Sequence, residues 1–168
     1  GHFRDLLTKE YITLLWKSAP LHDIGKVAIR DSILLKPGKL TADEFEEMKM
    51  HALFGEEVIA NLEHMAGQPT SFLSCAKDIA GSHHEKFDGS GYPRGLVGNE
   101  IPIAGRIMAV ADVYDALISK RVYKNSLTHE QALEIMLDGR GSHFDPIVID
   151  AFLVVEPHFR QIAANNAD

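Results

Sequence analysis

The chain has 168 residues, of which 17 are lysine or arginine and 24 are aspartate or glutamate, so its formal net charge is −7. Hydrophobic residues make up 45% and charged residues 24% of the sequence, a composition typical of one folded globular domain that excludes a disordered or fibrous chain. The acidic balance argues against a binder of long nucleic acid, because non-specific binding needs many basic side chains on one face.

The cysteine and hydropathy patterns bear on the compartment. Cys75 is the only cysteine, so an internal disulfide is excluded and a reducing compartment is favoured. The longest apolar stretches fall far short of the roughly 20 residues that cross a bilayer, and the N-terminus lacks the apolar segment of a signal peptide. We therefore expect a cytoplasmic protein without a membrane partner.

The first half of the chain has mainly helical periodicity. A first helix is predicted over about residues 8–22, with Pro20 tightening its last turn. Residues 25–40 are predicted to form a loop with at most one short extended piece, at 27–29. Thr41 and Glu44 have the spacing of a capping box and predict a helix to about residue 65. A further helix is predicted over residues 71–84.

The second half opens with residues 85–102, which are rich in glycine and proline and predict a long structured loop. Loops of this length in compact domains are usually functional. Helical periodicity returns over residues 103–119, Thr128 and Gln131 form a second capping box, and Asp145-Pro146 opens a helix to about residue 155. Strand-like alternation is almost absent, so the predicted fold is all-α, a bundle of six or seven helices with long functional loops.

Several aromatic residues and one histidine receive purely structural predictions. Trp16, Phe45, Phe54 and Phe72 recur at helical spacing and are predicted to lie in the core. His129 carries no motif and is predicted to be solvated.

Six side chains with nitrogen or oxygen donors lie near the end or in the middle of four different predicted helices. They are His22, Asp23, His51, His83, His84 and Asp112. Each alone is more often a helix cap or a satisfied polar group, but together they form a thiolate-free set that suits Fe, Mn, Ni, Zn or Co. A carboxylate can bridge two metals, and two metals roughly 3.5 to 4 Å apart hold a hydroxide and clamp a phosphoryl oxygen. The pattern therefore predicts a binuclear site.

Three motifs carry a resemblance to a known family. They are HDIGK from His22 to Lys26, HHEKFDGSGYP from His83 to Pro93, and DVYDAL beginning at Asp112. Over about residues 18–152 the chain resembles the HD-GYP subgroup of the HD metal-dependent phosphohydrolases. The resemblance implies a helical bundle and a phosphodiesterase that hydrolyses cyclic di-GMP to linear pGpG and, in many members, onward to GMP.

The resemblance also implies roles for individual residues. The six side chains become ligands of two divalent ions, Fe or Mn before Ni, Zn or Co, with Asp23 bridging them. Lys26 becomes the cation beside a phosphate that the bridging hydroxide attacks, although alone it would be a solvated loop lysine. Asp115 lies on the same helix face as Asp112 and is expected to hydrogen-bond that hydroxide or to orient a ligand histidine.

The resemblance further implies that Arg121 and Lys124 contact the substrate phosphate or guanine, against the alternative of a basic loop that follows a helix. Residues 26–39 contain four basic residues and one acidic residue, a local balance of +3, so positive loops can meet an anionic substrate on an acidic chain. Gly91, Tyr92 and Pro93 are predicted to fix a tight loop. That loop shapes the pocket edge or, as the resemblance suggests, docks a diguanylate cyclase domain.

We expect one HD-GYP domain over residues 1–168, without a receiver or other sensory domain. The family's leading helix, which can contribute ligands to a third metal, is also expected to be absent, so two metals are predicted rather than three. Such a domain is the output part of a response regulator, and a homodimer is left open. Two alternatives are a hydrolase that prefers linear pGpG or another nucleotide, and a module that binds cyclic di-GMP or a cyclase without turnover. The complete ligand set argues against the second.

Overall fold

The computed structural model describes residues 3–119 and 127–165, so the predicted substrate contacts Arg121 and Lys124 lie outside the described residues. The described residues form seven α-helices of eight residues or more and one single turn, with isolated bridges and no strand. The all-α prediction is confirmed. The helices are α1 (Lys9–Ser18), α2 (Asp31–Leu34), α3 (Ala42–Lys49), α4 (His51–Met65), α5 (Ser71–Ser82), α6 (Ile103–Ile118), α7 (His129–Asp138) and α8 (Pro146–Asn165).

Two compact units make up the chain, Gly1–His84 and Glu85–Asp168. The first holds α1 to α5 and two short 3₁₀ helices, Ala19–Leu21 and Ile24–Ala28. The second holds the glycine-rich loop, which contains one 3₁₀ turn, and α6 to α8. The expectation of one domain over the whole chain stays a prediction. Among the described residues, every helix is too short or too polar to cross a bilayer.

In the first unit, α4 packs against α5 and against the second 3₁₀ helix. Ile59 of α4 and Ala76 and Ala80 of α5 are buried together, with Leu21 and Leu73 packed against them. The small alanine side chains let the two helices approach closely while burying apolar surface. This packing fixes both the start of α4 and the end of α5.

Side-chain caps define where the helices begin. The predicted box at Thr41 is present, since Thr41 Oγ1 accepts from Glu44 N at 3.3 Å and Glu44 Oε2 accepts from Thr41 N at 2.7 Å. The box at Thr128 and Gln131 is present as well. Each cap satisfies backbone N–H groups that have no partner within the helix.

The predicted helix over residues 41–65 is interrupted at Met50. Met50 N bonds to the Glu47 carbonyl three residues back, and His51 begins α4 with its ring bonded to the Met48 carbonyl. Periodicity missed this break because the apolar pattern continues through it. Where at most a short extended piece is predicted over 27–29, Val27 and Ala28 instead end the second 3₁₀ helix, and only Ile29 has extended backbone. Helix α8 continues ten residues beyond its predicted end.

The core of the second unit lies between α6, α7 and α8. Tyr114, Met136, Ile149 and Phe152 are all buried there. At the start of α8, Asp145 Oδ1 accepts from Ile147 N at 2.7 Å, which confirms the predicted cap.

Three structural predictions are wrong. Trp16 is 76% exposed and Phe45 is 48% exposed, whereas Phe54 and Phe72 are half-buried. Periodicity identifies an apolar face but does not show whether another element covers it. His129, predicted to be solvated, is only 9% exposed.

The burial of His129 is explained by its hydrogen bonds within the second unit. The Tyr114 hydroxyl lies 2.6 Å from His129 Nδ1, and His129 Nε2 bonds to the Glu156 carboxylate of α8. The three side chains therefore join α6, α7 and α8 through a buried polar network, which no local pattern in the sequence indicates.

Candidate metal centre

Three segments of the first unit bring a cluster of donor atoms together. Asp23 directly precedes the second 3₁₀ helix, His51 is the first residue of α4, and His83 and His84 directly follow α5. One ligand atom from each of these four side chains lies within 4.8 Å of the others. In the described part of the chain, no other group of three or more His, Cys, Asp or Glu residues is arranged in this way.

Backbone carbonyls set the orientation of the buried imidazoles. His51 Nδ1 lies 2.7 Å from the Met48 carbonyl oxygen, and His83 Nδ1 lies 3.0 and 3.1 Å from those of Ile79 and Ala80. Because a carbonyl only accepts hydrogen bonds, each Nδ1 must carry the proton. Each Nε2 therefore presents a lone pair, as a metal-binding histidine requires.

The atoms that point into the cluster have no hydrogen-bond partner among the described residues. They are Asp23 Oδ1, His51 Nε2 and His83 Nε2, and all three are buried. Asp23 Oδ1 lies 3.4 Å from His51 Nε2 and 3.9 Å from His83 Nε2. Buried polar atoms without partners are costly, and these convergent lone pairs fit a divalent transition-metal ion.

Burial keeps the imidazoles neutral. Burial lowers the pKa of His51. It also lowers the pKa of His83 to about 4, with a further contribution from the charge of His22. Burial lowers the pKa of His84 to about 2, with contributions from His83 and His51. At neutral pH these rings are therefore unprotonated on the nitrogen that would bind a metal.

Asp23 stays ionised in the same environment. Burial acts to raise the pKa of its carboxyl, but hydrogen bonds from His22 and Lys26 and the charge of Lys26 outweigh burial and hold that pKa well below its usual range. A carboxylate among neutral imidazoles makes the cluster a negatively charged cation site.

His22 borders this group. Its Nε2 lies 3.2 Å from Asp23 Oδ2, its Nδ1 lies 2.9 Å from the Ala19 carbonyl oxygen, and its ring centroid lies 5.2 Å from that of His83. Both ring nitrogens of His22 therefore face acceptor oxygens, whereas Nε2 of His51 and of His83 has no hydrogen-bond partner among the described residues. The ligand role of His22 stays a prediction.

Gly25 positions the HD segment, and sequence reasoning assigned it no role. A Cβ on Gly25 would lie 2.0 Å from the His51 carbonyl oxygen and 2.4 Å from Gly55 N. Gly25 does not have a positive φ, so glycine is needed for the close approach rather than for its conformation. The contact holds the turn that bears Asp23 against the start of α4. A glycine three residues after His22 in the HDIGK motif was the available signal.

Lys26 lies beside the cluster, as the motif predicts, with Nζ 2.6 Å from Asp23 Oδ2. The wider expectation of a positive loop is not met within residues 26–39, because nearby carboxylates offset its charge. Arg30 pairs with Glu47 at 2.5 Å and Lys36 pairs with Glu44 at 2.5 Å. Counting charges along the chain missed these partners on α3.

The predicted aspartates Asp112 and Asp115 lie on α6, in the second unit. Asp112 is half-buried and Asp115 is exposed, and Asp115 Oδ1 accepts a hydrogen bond from Ser119 Oγ at 3.2 Å. Their roles as ligand and as orienting residue stay predictions.

A buried carboxylate organises the glycine-rich loop of the second unit. Glu85 is 2% exposed, and its two oxygens accept from Arg94 N at 2.7 Å and from Leu96 N at 3.0 Å. Sequence reasoning missed this residue, although it follows directly after His84 in the HHE string. A charged residue inside a long motif, with no assigned chemistry, was the available signal.

The GYP segment lies on this loop. Gly91, Tyr92 and Pro93 are half-buried, and the Tyr92-Pro93 peptide bond is cis. A Cβ on Gly91 would lie 2.2 Å from Lys86 N and 2.6 Å from the carbonyl carbon of Glu85, so only glycine fits against that backbone. The predicted tight loop is confirmed, and its docking role stays a prediction.

Comparison with known proteins identifies close relatives. Two Vibrio cholerae proteins, a probable cyclic di-GMP phosphodiesterase and a cyclic di-GMP phosphodiesterase, are each 57% identical over 166 residues, which is 99% of this chain and 38% and 34% of those proteins. The cyclic di-GMP phosphodiesterase response regulator RpfG of Xanthomonas campestris is 47% identical over 156 residues, 93% of this chain and 40% of that protein. The chain thus spans roughly a third to two fifths of the length of these relatives.

A family model described as the HD domain matches residues 7–148, which include all six predicted ligands. This match and the relatives confirm the resemblance that the three motifs indicate. The HD domain family is metal-dependent, and the described residues include a matching cluster of histidine and aspartate donor atoms. The chain therefore belongs to the HD domain family.

Proposed function

We propose that the chain is a metal-dependent phosphodiesterase that hydrolyses cyclic di-GMP to pGpG and onward to GMP. The observation that carries the proposal is the convergence of Asp23 Oδ1, His51 Nε2 and His83 Nε2, all buried and without partners among the described residues. The printed names of the relatives supply the substrate.

The residues that would hold the metals are those of the three motifs. We assign two divalent ions, Fe or Mn before Ni, Zn or Co, to His22, Asp23, His51, His83, His84 and Asp112. When bound, divalent ions supply Lewis-acid polarisation of a phosphoryl oxygen and an activated water.

The remaining chemistry falls to the protein's own charges. The Lys26 ammonium lies at the edge of the cluster, 2.6 Å from Asp23 Oδ2, where it can bind a non-bridging phosphate oxygen and offset the charge that grows on it. The buried imidazoles are neutral, so they add no positive charge that would repel the Lys26 ammonium. We assign Arg121 and Lys124 to the outer phosphate or a guanine, and Asp115 to orienting water or a ligand histidine.

Another cyclic dinucleotide is a second candidate substrate. A relative from Vibrio cholerae named 3'3'-cGAMP-specific phosphodiesterase 2 is 44% identical over 162 residues, 96% of this chain and 30% of that protein. The substrates differ in one base, so contacts to guanine decide between them. Linear pGpG is the third substrate to compare.

The test uses chain purified without chelator or a nickel column, with metal content measured by mass spectrometry. Turnover of cyclic di-GMP, 3'3'-cGAMP and pGpG is followed by chromatography with added Fe(II) or Mn(II). We expect two metal equivalents and fastest cleavage of cyclic di-GMP. Binding of a cyclic dinucleotide without turnover under any metal would refute the proposed enzymatic function. Faster cleavage of 3'3'-cGAMP or pGpG would show that cyclic di-GMP is not the preferred substrate.

Two variants with matched controls separate the roles of Asp23 and Lys26. We expect Asp23→Asn to lose metal and activity together, while Asp31→Asn, an exposed aspartate on α2, loses neither. Lys26→Ala should keep its metal but lose about 100-fold in kcat, unlike the exposed control Lys39→Ala. Unchanged turnover in Lys26→Ala would remove its assigned role.

We further propose that the chain is the output domain of a response regulator and that it acts in the cytoplasm. Its partner is then a diguanylate cyclase domain, bound through the GYP loop, or a second copy of the chain in a homodimer. The relative named as a response regulator supports the first point, and the single free, buried Cys75 supports the compartment. Copurification of a cyclase domain with the wild-type chain but not with a Tyr92→Ala variant tests the docking role.

A further inference from the structure

A cleft of about 600 Å³ lies in the first unit, lined by residues of α1 from its start to Leu14 and of α5 from its start to Asp78. Its volume falls in the range of small-molecule sites. Asp78, the lining residue closest in the chain to the histidines that follow α5, precedes His83 by five residues, roughly 7.5 Å at 1.5 Å per residue. The lining of the cleft shares no residue with the cluster of Asp23, His51, His83 and His84, so the cleft is a second site.

The cleft combines apolar walls with negative charge. Leu6, Leu14 and Pro69 form apolar parts of the lining, and Glu10 and Asp78 contribute carboxyl groups. Its lining includes no lysine, arginine or histidine. This composition favours a ligand that has both an apolar part and a positive charge.

Asp78 is the group that lacks a partner. It is half-buried, and its carboxyl forms no hydrogen bond or ion pair with the residues that the structure describes. The neighbouring Lys77 pairs instead with Glu63, at 2.6 Å. Burial, with the charges of Glu56 and Glu63, raises the pKa of the Asp78 carboxyl against the opposing charge of Lys77, the direction expected for a half-buried carboxylate without a close counter-ion.

Tyr11 offers a second interaction to the same ligand. Burial raises its pKa to about 12, with contributions from Cys75 and Asp78, so the phenol keeps its proton at neutral pH. In the described part of the chain the hydroxyl has no hydrogen-bond partner. The aromatic ring lines the cleft and can bind a cation through its face.

Other ligand classes fit less well. An anion would meet two carboxyl groups, and the hydroxyls of Thr8 and Thr70 at the two helix starts already accept from Tyr11 N and Leu73 N. A metal ion is disfavoured because, among the described residues, the only group of three or more convergent ligand atoms is the one at Asp23. A neutral ligand would leave Asp78 without a counter-ion.

We propose that this cleft binds an aliphatic amine, with the ammonium group on Asp78, the Tyr11 ring beside it, and the alkyl chain against Leu6, Leu14 and Pro69. The amine can be a free small molecule or the lysine side chain of another protein, since both present the same chemistry.

The test is an NMR titration of the 168-residue chain with n-pentylamine, 1-pentanol and pentanoate as probes of one length and three charge states. We expect saturable shifts of the amides of Tyr11, Ser74 and Asp78 with the amine alone. A short lysine-containing peptide, titrated beside the amine, shows whether the side chain of a protein also enters the cleft.

Variants test the assigned contact. Asp78→Asn keeps the side-chain volume and should weaken amine binding at least about tenfold, as expected for a lost hydrogen bond to a charged group. The exposed Asp138→Asn is the matched control, and Asp78→Asn should leave turnover unchanged because Asp78 has no part in the metal centre. No saturation by the amine, equal binding of pentanol or pentanoate by wild type, or unchanged affinity in Asp78→Asn would each overturn the proposal.

Discussion

Replacing Gly25 by alanine tests whether the contact between the second 3₁₀ helix and α4 holds the metal centre in place. The new Cβ would lie 2.0 Å from the His51 carbonyl oxygen and 2.4 Å from Gly55 N, against about 3.5 Å for a relaxed contact. Both obstacles are backbone atoms, so the 3₁₀ helix must move by about 1 Å or more. Overpacking costs about 1–3 kcal/mol when side chains can adjust, and here we expect the upper end of that range.

The same displacement should damage function. Asp23 Oδ1 lies 3.4 Å from His51 Nε2 across this contact, and a misplacement of about 1 Å can cost 100-fold in rate. We therefore expect Gly25→Ala to unfold at lower urea concentration and to bind less metal per chain. Urea denaturation and elemental analysis measure the two effects on the same preparation.

Gly55→Ala provides a graded comparison from the other side of the contact. Its Cβ would lie 3.3 Å from the Ala80 Cβ and from Gly25 N, so only small adjustments are needed. The gain in helix propensity is about 1 kcal/mol, and we expect stability within about 1 kcal/mol of wild type. Wild-type stability and metal content in Gly25→Ala, or equal damage in both variants, would refute the reasoning.

Three further predictions concern buried polar groups. Glu85→Gln should lower the free energy of unfolding by about 1.5–3 kcal/mol, because the carboxylate accepts two backbone N–H bonds; unchanged thermal melting and amide exchange in the loop would contradict this. His129→Leu removes the partner of the Tyr114 hydroxyl and should cost about 1–3 kcal/mol, whereas the exposed control His158→Leu should cost almost nothing; equal melting temperatures would disprove the difference. Burial raises the pKa of Tyr11 from 10.0 to about 12, so unfolding releases a proton in that pH window and stability should fall as the pH rises through it; an identical decline in Tyr11→Phe would exclude this origin.

Local features were predicted well because they depend on residues close in the chain. The capping boxes at Thr41 and Thr128 formed as their spacing indicates. Each box needs only a hydroxyl and a carboxyl or amide three residues apart. The all-α class followed in the same way from periodicity and from the near absence of strand-like alternation.

Features that depend on neighbours across the fold were predicted poorly. Trp16 occupies an apolar helical position yet is exposed, and His129 has no motif yet is buried. The positive charge expected from residues 26–39 is offset by Glu44 and Glu47, which lie on a separate helix. Burial and ion pairing are properties of contacts between elements, and local sequence does not specify which elements meet.

By itself the sequence determined the donor chemistry of the metal centre and the family, because His22, Asp23, His51 and the HHE string are specific in type and spacing. Only the tertiary structure decided which of those atoms converge and in which protonation state. Residues 23 and 83 are 60 positions apart, and they meet because α4 packs closely on α5 and on the turn at Gly25. Burial in that packing, rather than any motif, keeps the imidazoles neutral, and the Nε2 atoms of His51 and His83 are left without hydrogen-bond partners among the described residues.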